Sequence, residues 1–222
     1  MITFFYIGES RFRNFTVTNH DKMFNVIRSN WPIQVVDYTH TMWDRSHCPF
    51  DRSGAIQVWD YYQVLKNIET DIVIKLRTDI WFDDSCHQAI LSELGKIVDG
   101  EQDVSFLGAE MYNSFDAVYE RIPVPNVFKV QDYMIMADRR RLRSEEAVMD
   151  DLTNGKPFKS GNKTWQFIID NPERAYTVRC QMFLVRKAHP NLTTWQVGYD
   201  FIEDLGKCDQ ALAWWELNRP ID

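Results

Sequence analysis

The sequence predicts an α/β protein, with a mostly parallel sheet flanked by helices on both faces. Three observations predict it. Short apolar runs bounded by turn residues recur through the first half. Between them, apolar residues return at intervals of three and four, as on one face of a helix. The resulting β-α units have the length that joins neighbouring parallel strands. Taken in order, Ile2–Ile7 is an apolar run closed by Gly8, the mark of a buried strand. Met23, Phe24 and Ile27 then share a helical face within residues 16–29, and residues 34–38 (QVVDY) are strand-like. Ser53 stands at a helix cap ahead of Val58, Tyr62 and Leu65, spaced by four and three. Residues 71–76 (DIVIKL) make a third strand. Asp84 or Ser85 caps a helix carrying Cys86, Ala89, Ile90, Leu94 and Ile97, which Gly100 closes. Residues 103–107 are a fourth strand.

The second half is less regular. Residues 109–127, with Pro123 and Pro125, read as a long excursion, and residues 128–137 (FKVQDYMIMA) as a returning strand. A helix is expected from Asp138 through Leu152. Asn171-Pro172 opens another, with Ala175, Val178, Met182 and Val185 at spacings of three, four and three. Trp195, Tyr199, Phe201, Trp214 and Trp215 are expected to pack back on the sheet.

Composition narrows the function. A chain of 222 residues with 45% hydrophobic and 26% charged residues fits one domain with a sizeable core. The 25 Lys+Arg against 32 Asp+Glu leave a net charge of −7, which opposes an extended duplex-binding surface. No run reaches the roughly 18 apolar residues that cross a bilayer. The opening MITFFYIGESR lacks a basic segment and a cleavage site, so it reads as a first strand of a soluble cytoplasmic protein. Cys48, Cys86, Cys180 and Cys208 form no CxxC pair, which removes zinc ribbons and dithiol redox motifs. The adjacent pairs His47-Cys48 and Cys86-His87 point in different directions on one element, so reduced thiols are the simpler reading.

In an open α/β sheet, ligands bind at the carboxyl ends of the strands. Strand one ends in Gly8-Glu9-Ser10-Arg11, strand two in Asp37, strand three in Arg77-Thr78-Asp79. A glycine followed by an arginine lets the backbone approach a phosphate and supplies a planar clamp; a tight turn with a surface arginine has the same pattern. Neither GxGxxG nor a P-loop is present, which argues against dinucleotide and kinase chemistry. Asp79 is an oxygen ligand of the type magnesium and manganese take, and a salt bridge to Arg77 is its alternative. If the strand continues, Arg77 and Asp79 share a side. Asp83 and Asp84 suit a helix N-terminus.

Residues 61–82 (YYQVLKNIETDIVIKLRTDIWF) resemble the core of nucleotide-sugar glycosyltransferases of the GT-A fold. The nearest likeness is to WavE-type lipopolysaccharide and capsule enzymes, which carry K-x-R-[ST]-D after a strand. That motif is here Lys75-Leu76-Arg77-Thr78-Asp79. Residues 5–12 (FYIGESRF) resemble the same group's first strand and Gly-x-x-Arg turn, and residues 131–138 (QDYMIMAD) a later strand near the acceptor. The likeness spans about residues 1–140 in outline. It implies a single GT-A-like, Rossmann-like domain over residues 1–222, with a nucleotide-sugar half (1–108) and an acceptor half (109–222). The implied activity is hexosyl or pentosyl transfer from a nucleotide-diphosphate-sugar to a hydroxyl of a glycan or lipid-linked sugar. The oligomeric state is left open.

Carried over by position, the likeness places Gly8 and Arg11 beside the nucleotide and Asp37 at its base or ribose. Lys75 and Arg77 would stabilise the departing diphosphate. Asp79 would stand for the metal-binding carboxylate of a DxD motif, holding manganese or magnesium, with Arg77 in place of the first acid. Asp132 would be the general base or orient the acceptor. Glu203-Asp204, ahead of Asp209-Gln210 and Trp214-Trp215, is a second acidic candidate, and Trp43, Trp81 or Trp195 could stack on a sugar. Arg139, Arg140, Arg141 and Arg143 read as a solvated helix face or a patch for a phosphate-rich acceptor. That patch keeps open a virus-type enzyme glycosylating hydroxymethylated DNA bases in a host cytoplasm. The missing first acid keeps open a nucleotide-sugar-binding protein without turnover.

Overall fold

The computed structural model describes residues 1–7, 10–37, 48–50, 53–78, 80–82, 84, 86–108, 120–126, 130, 133–154, 168–179, 182–184, 195–197 and 200–202. The chain runs β1 (Ile2–Ile7), α1 (Ser10–Arg28), β2 (Ile33–Asp37), α2 (Ser53–Leu65), β3 (Ile72–Arg77), β4 (Ile80–Phe82), α3 (Cys86–Val98) and β5 (Val104–Gly108). It continues through β6 (Glu120–Pro123), β7 (Met134–Asp138), α4 (Glu145–Thr153), β8 (Ala175–Arg179), β9 (Met182–Leu184), β10 (Trp195–Val197) and β11 (Asp200–Ile202). A seven-stranded sheet has the order β2-β1-β3-β7-β5-β8-β6, and a four-stranded sheet the order β11-β10-β9-β4. In the large sheet β2, β1, β3, β5 and β8 run one way, while β7 and β6 run against them. The sheet is therefore mostly, and not purely, parallel.

Apolar alternation builds two cores. On one face Ile2, Phe4 and Tyr6 of β1 and Ile72, Ile74 and Leu76 of β3 pack against α1 and α3. Phe4 meets Phe24 edge-on with ring centroids 4.8 Å apart. On the other face Phe5, Ile7 and Val73, with Phe106 and Ile135, pack against α2 and α4. Cys86, Ala89, Ile90, Leu94 and Ile97 line the buried side of α3 as their spacing predicts. The helix ends as Gly100 turns to φ 74°, the left-handed conformation glycine adopts without strain. Among the described residues, no helix is long and apolar enough to cross a membrane.

Three expectations need correction. The helix expected from Asp138 begins only at Glu145, capped by the Ser144 hydroxyl accepting from the Ala147 amide at 3.2 Å. Before it, Asp138 caps a short 3-10 turn at Arg139–Arg141, and Leu142 is extended and bridges Ile169. The helix expected after Asn171-Pro172 is a single 3-10 turn followed by strand β8, paired on both sides by β5 and β6. Ala175 and Val178, three apart, lie on opposite faces of that strand, each in a different core. Part of the excursion, residues 120–126, is itself the edge strand β6 and a 3-10 turn.

Candidate functional site at the carboxyl edge of the sheet

Strand register brings the predicted strand ends together. Tyr6 of β1 pairs with Asp37 of β2, and Ile7 pairs with Arg77 of β3. Asp37 is exposed and Arg77 half-buried at this rim. Because β7 runs antiparallel, it starts at the same rim, and the Arg77 amide donates to the Tyr133 carbonyl at 3.2 Å. The Arg77 guanidinium lies 5.4 Å from the centroid of the buried Tyr133 ring, a cation–π contact that orients it. Lys75 is set back one pleat on the same face as Arg77, 2% exposed, between Phe5 and Ile135 in register. It is partnered in the interior.

Helix α1 opens two residues after β1 ends, so its N-terminus also lies at this rim. Its first turn carries Arg11 and Arg13 and no acid. A helix N-terminus already holds partial positive charge, so basic residues there run against the dipole unless an anion is to be met. Arg13 is a residue the motif reading missed; the signal for it was an acid-free, basic first turn. Gly8, Asp79 and Asp132 lie outside the described residues, as do Trp43, Asp83, Glu203, Asp204, Asp209, Gln210, Trp214 and Trp215. The side chains of Arg11, Arg13, Trp81 and Trp195 are likewise outside them, although their backbones sit in α1, β4 and β10.

The strand does not continue to position 79: β3 stops at Arg77 and Thr78 is a turn residue. The chain on either side of that position is held from α1. The Thr16 hydroxyl donates to the Thr78 carbonyl at 2.7 Å, and His20 Nε2 to the Ile80 carbonyl at 2.6 Å. Asn19 donates to the Phe82 carbonyl and accepts from the Phe82 amide, both at 2.8 Å. Thr78 is 1% exposed, and among the described residues its hydroxyl has no hydrogen-bond partner.

The arginine run is not a helix face, and it sits at the other end of the sheet. Asp138 pairs with Ile72, the first residue of β3, about 17 Å along the strand from Arg77 at roughly 3.3 Å per residue. Arg139 donates to the carbonyls of Leu65, Ile68 and Glu69, closing the chain after α2. Arg140 pairs with Asp138 at 2.8 Å and Asp71 at 3.1 Å, and Arg143 with Asp151 at 2.9 Å. Burial pushes the Asp138 carboxyl upward, but hydrogen bonds and charge from Arg140 outweigh it and hold the pKa below its ordinary value. Burial pushes the hydroxyls of Tyr61 and Tyr62 well up; the Tyr62 hydroxyl donates to the Arg143 carbonyl at 2.8 Å.

Among the described residues, no group of three His, Cys, Asp or Glu side chains can hold a metal ion. The described residues therefore supply no metal ligand set. Cys48 is half-buried and Cys86 buried, and the two are not joined in a disulfide.

No family model matches this chain, and no curated protein does. Solved structures do. An active-site mutant of LgtC is similar over 99% of this chain and 97% of its own, with TM-score 0.50 and 8% identity. The galactosyltransferase LgtC with donor and acceptor sugar analogues gives TM-score 0.49 and 8% identity over the same shares. A glycosyltransferase involved in glycosylation of the major capsid of PBCV-1 gives TM-score 0.48 and 11% identity, over 79% of this chain and 80% of that one. At such identities the likeness is one of fold: the mixed α/β architecture of GT-A glycosyltransferases.

Proposed function

We propose that the chain is a glycosyltransferase that takes a nucleotide-diphosphate-sugar at the carboxyl edge of β1–β3 and passes the sugar to a hydroxyl acceptor. One observation carries the reading. In a fold shared with such enzymes, α1 presents a basic, acid-free first turn at the rim where Arg77 and Asp37 also end. A diphosphate is an anion of the kind such a helix N-terminus takes. The likeness to WavE-type enzymes, the hexosyl or pentosyl donor, a glycan or lipid-linked acceptor and a cytoplasmic setting belong to the same proposal.

In the reaction, the acceptor oxygen forms a bond to the anomeric carbon while the bond from that carbon to the diphosphate oxygen breaks. The electron pair leaves with the diphosphate, and the hydroxyl proton passes to a carboxylate, for which Asp132 is the candidate. Gly8 and Arg11 would approach the phosphates and Asp37 the ribose or base. Arg77, oriented by Tyr133, is aimed at the charge that develops on the leaving group. Lys75 would add its charge from behind, since it is buried. Any manganese or magnesium ion falls to Asp79.

The test is thermal shift against UDP, GDP, CMP and their sugars, with manganese and with EDTA, followed by donor hydrolysis. A donor at a hundred times its dissociation constant should stabilise by about 2.7 kcal/mol, or about 5–10 °C for a chain of this size. Arg77→Ala should weaken binding by about 10-fold or more without lowering the apo melting point by more than a few degrees, and Asp79→Asn should abolish any manganese dependence. No nucleotide-specific shift sinks the reading. Binding without hydrolysis or transfer would leave a donor-binding protein.

A further inference from the structure

Thr16, Asn19 and His20 are spaced so that all three project from one face of α1. All three are buried, at 0%, 2% and 0% exposure, in a helix face otherwise built of Met23, Phe24 and Ile27. Apolar side chains there would pack against the sheet at no polar desolvation cost, so the polar ones need another reason. Their partners supply it. The three side chains bond the Thr78, Ile80 and Phe82 carbonyls and the Phe82 amide, on both sides of position 79.

The chemistry of each bond is specific. The Asn19 amide both donates to and accepts from Phe82, as a neighbouring strand would. Among the described residues β4 is the edge of its sheet, paired only with β9, and α1 lies along the edge a further strand would otherwise take. The Ile80 carbonyl can only accept, so His20 carries its proton on Nε2. In the neutral ring Nδ1 is then the acceptor for the Tyr6 hydroxyl, at 2.9 Å. Tyr6 is 1% exposed on β1, the strand that leads into Gly8. A relay thus runs from β1 through His20 to the chain just past position 79.

We infer that Thr16, Asn19 and His20 are positioning residues of the donor site, fixing the backbone at Thr78 and at Ile80–Phe82 relative to β1 and the N-terminus of α1. The inference rests on the donor-site reading above. Ligand-binding groups must be held to within about 0.5 Å, and misplacement by about 1 Å can cost 100-fold in rate. The β3 ladder ends at Arg77, and the pairing of β4 with β9 begins only at Ile80.

The test compares Thr16→Val, which keeps shape and loses the hydroxyl, with Thr16→Ser, which restores it. Tyr6→Phe, which cuts only the far end of the relay, is the milder variant should Thr16→Val fail to fold. Two quantities are read on each folded protein: amide hydrogen exchange across residues 78–82, and affinity for UDP-glucose, UDP-galactose and GDP-mannose in manganese and in EDTA. Expected are at least tenfold faster exchange in Thr16→Val, a donor affinity lower by about tenfold, and recovery of both in Thr16→Ser. Tyr6→Phe should move both in the same direction by a smaller factor. Unchanged exchange overturns the grip, and faster exchange with unchanged donor affinity overturns the positioning role. A wild-type protein that binds none of the donors overturns the functional reading, and this inference with it. Exchange needs no nucleotide, so the failures are told apart.

Discussion

Glu93 allows a quantitative test of how α3 is tied to β5 and β6. It lies on α3 with no exposure, and its carboxylate is fully engaged. One oxygen accepts from Lys96 Nζ at 2.8 Å and lies 3.2 Å from Arg121 Nε. The other accepts from Gln102 Nε2 at 2.8 Å, Ser105 Oγ at 2.6 Å and Arg121 Nε at 3.4 Å. Arg121 also donates to Gln102 and lies flat on Tyr176, its guanidinium carbon 3.2 Å from the ring centroid. In Glu93→Gln the remaining amide oxygen can keep Gln102 and Ser105, which turns the new NH2 group toward two cations. Lys96 and Arg121 are 28% and 26% exposed, so both can turn to water and the cost stays below that of a fully buried broken pair. One charge-assisted hydrogen bond to Lys96 and the charge pairing with Arg121, lost at about 1.5 kcal/mol each, give about 3 kcal/mol. For a chain of this length that is about 6–12 °C in Tm. Urea unfolding should show a lower midpoint at unchanged slope, since no surface is newly exposed. In a cycle with Arg121→Met the coupling should exceed about 1 kcal/mol. A Tm drop under about 2 °C, or additive single effects, would refute the account of Glu93 as the centre of this network.

Further outcomes follow from single residues. The Asp138 pKa lies below its reference value of 3.8 in the folded protein. Its stabilisation is therefore complete above pH about 4 and is lost as pH falls through the folded value. Asp138→Asn should lower stability at pH 7, where the charged carboxylate contributes in full, and should flatten the acid limb below pH 4, so that variant and wild type converge at low pH. Gly95 and Gly100 both have open space where a Cβ would go, yet they should respond oppositely. Gly95→Ala, inside α3, should stabilise by about 0.5–1 kcal/mol, and Gly100→Ala, at φ +74°, should destabilise by about 1 kcal/mol, both read from urea midpoints. Equal signs would refute the conformational argument. DNA affinity should be weak and show little salt slope, because the Arg139, Arg140 and Arg143 guanidinium groups already serve carbonyls and carboxylates of this chain.

Legibility in the sequence followed the range of the interactions. β1, β3 and α3 could be read because each carries its own signal: continuous burial on both faces, or a three-four repeat with a glycine stop. β8 misled because Ala175 and Val178 satisfy a helical interval while the strand buries both of its faces, so the pattern lacked the alternation that identifies a half-exposed strand. The arginine run misled for a different reason. Apart from the adjacent Asp138, its partners are Asp71, Asp151, Asp170 and the carbonyls at the end of α2 and just after it, none of which its own composition announces.

The rim shows the same division within a single strand. Along β3 the pleat sends Ile72, Ile74 and Leu76 into one core, and Val73, Lys75 and Arg77 to the other face, graded from buried apolar to half-buried charge. That much is written in the alternation of IVIKLR. Extending the alternation two residues would place position 79 beside Arg77, and the ladder gives no warrant for it, because it ends at Arg77 and Thr78 turns. Beyond that point the path of the chain is set by Thr16, Asn19 and His20, 60 to 63 residues distant in sequence. They act on backbone atoms, which have no sequence signature at all. A motif such as K-x-R-T-D can therefore name the residues of a donor site, while the geometry that makes them one site is encoded in a helix the motif does not include.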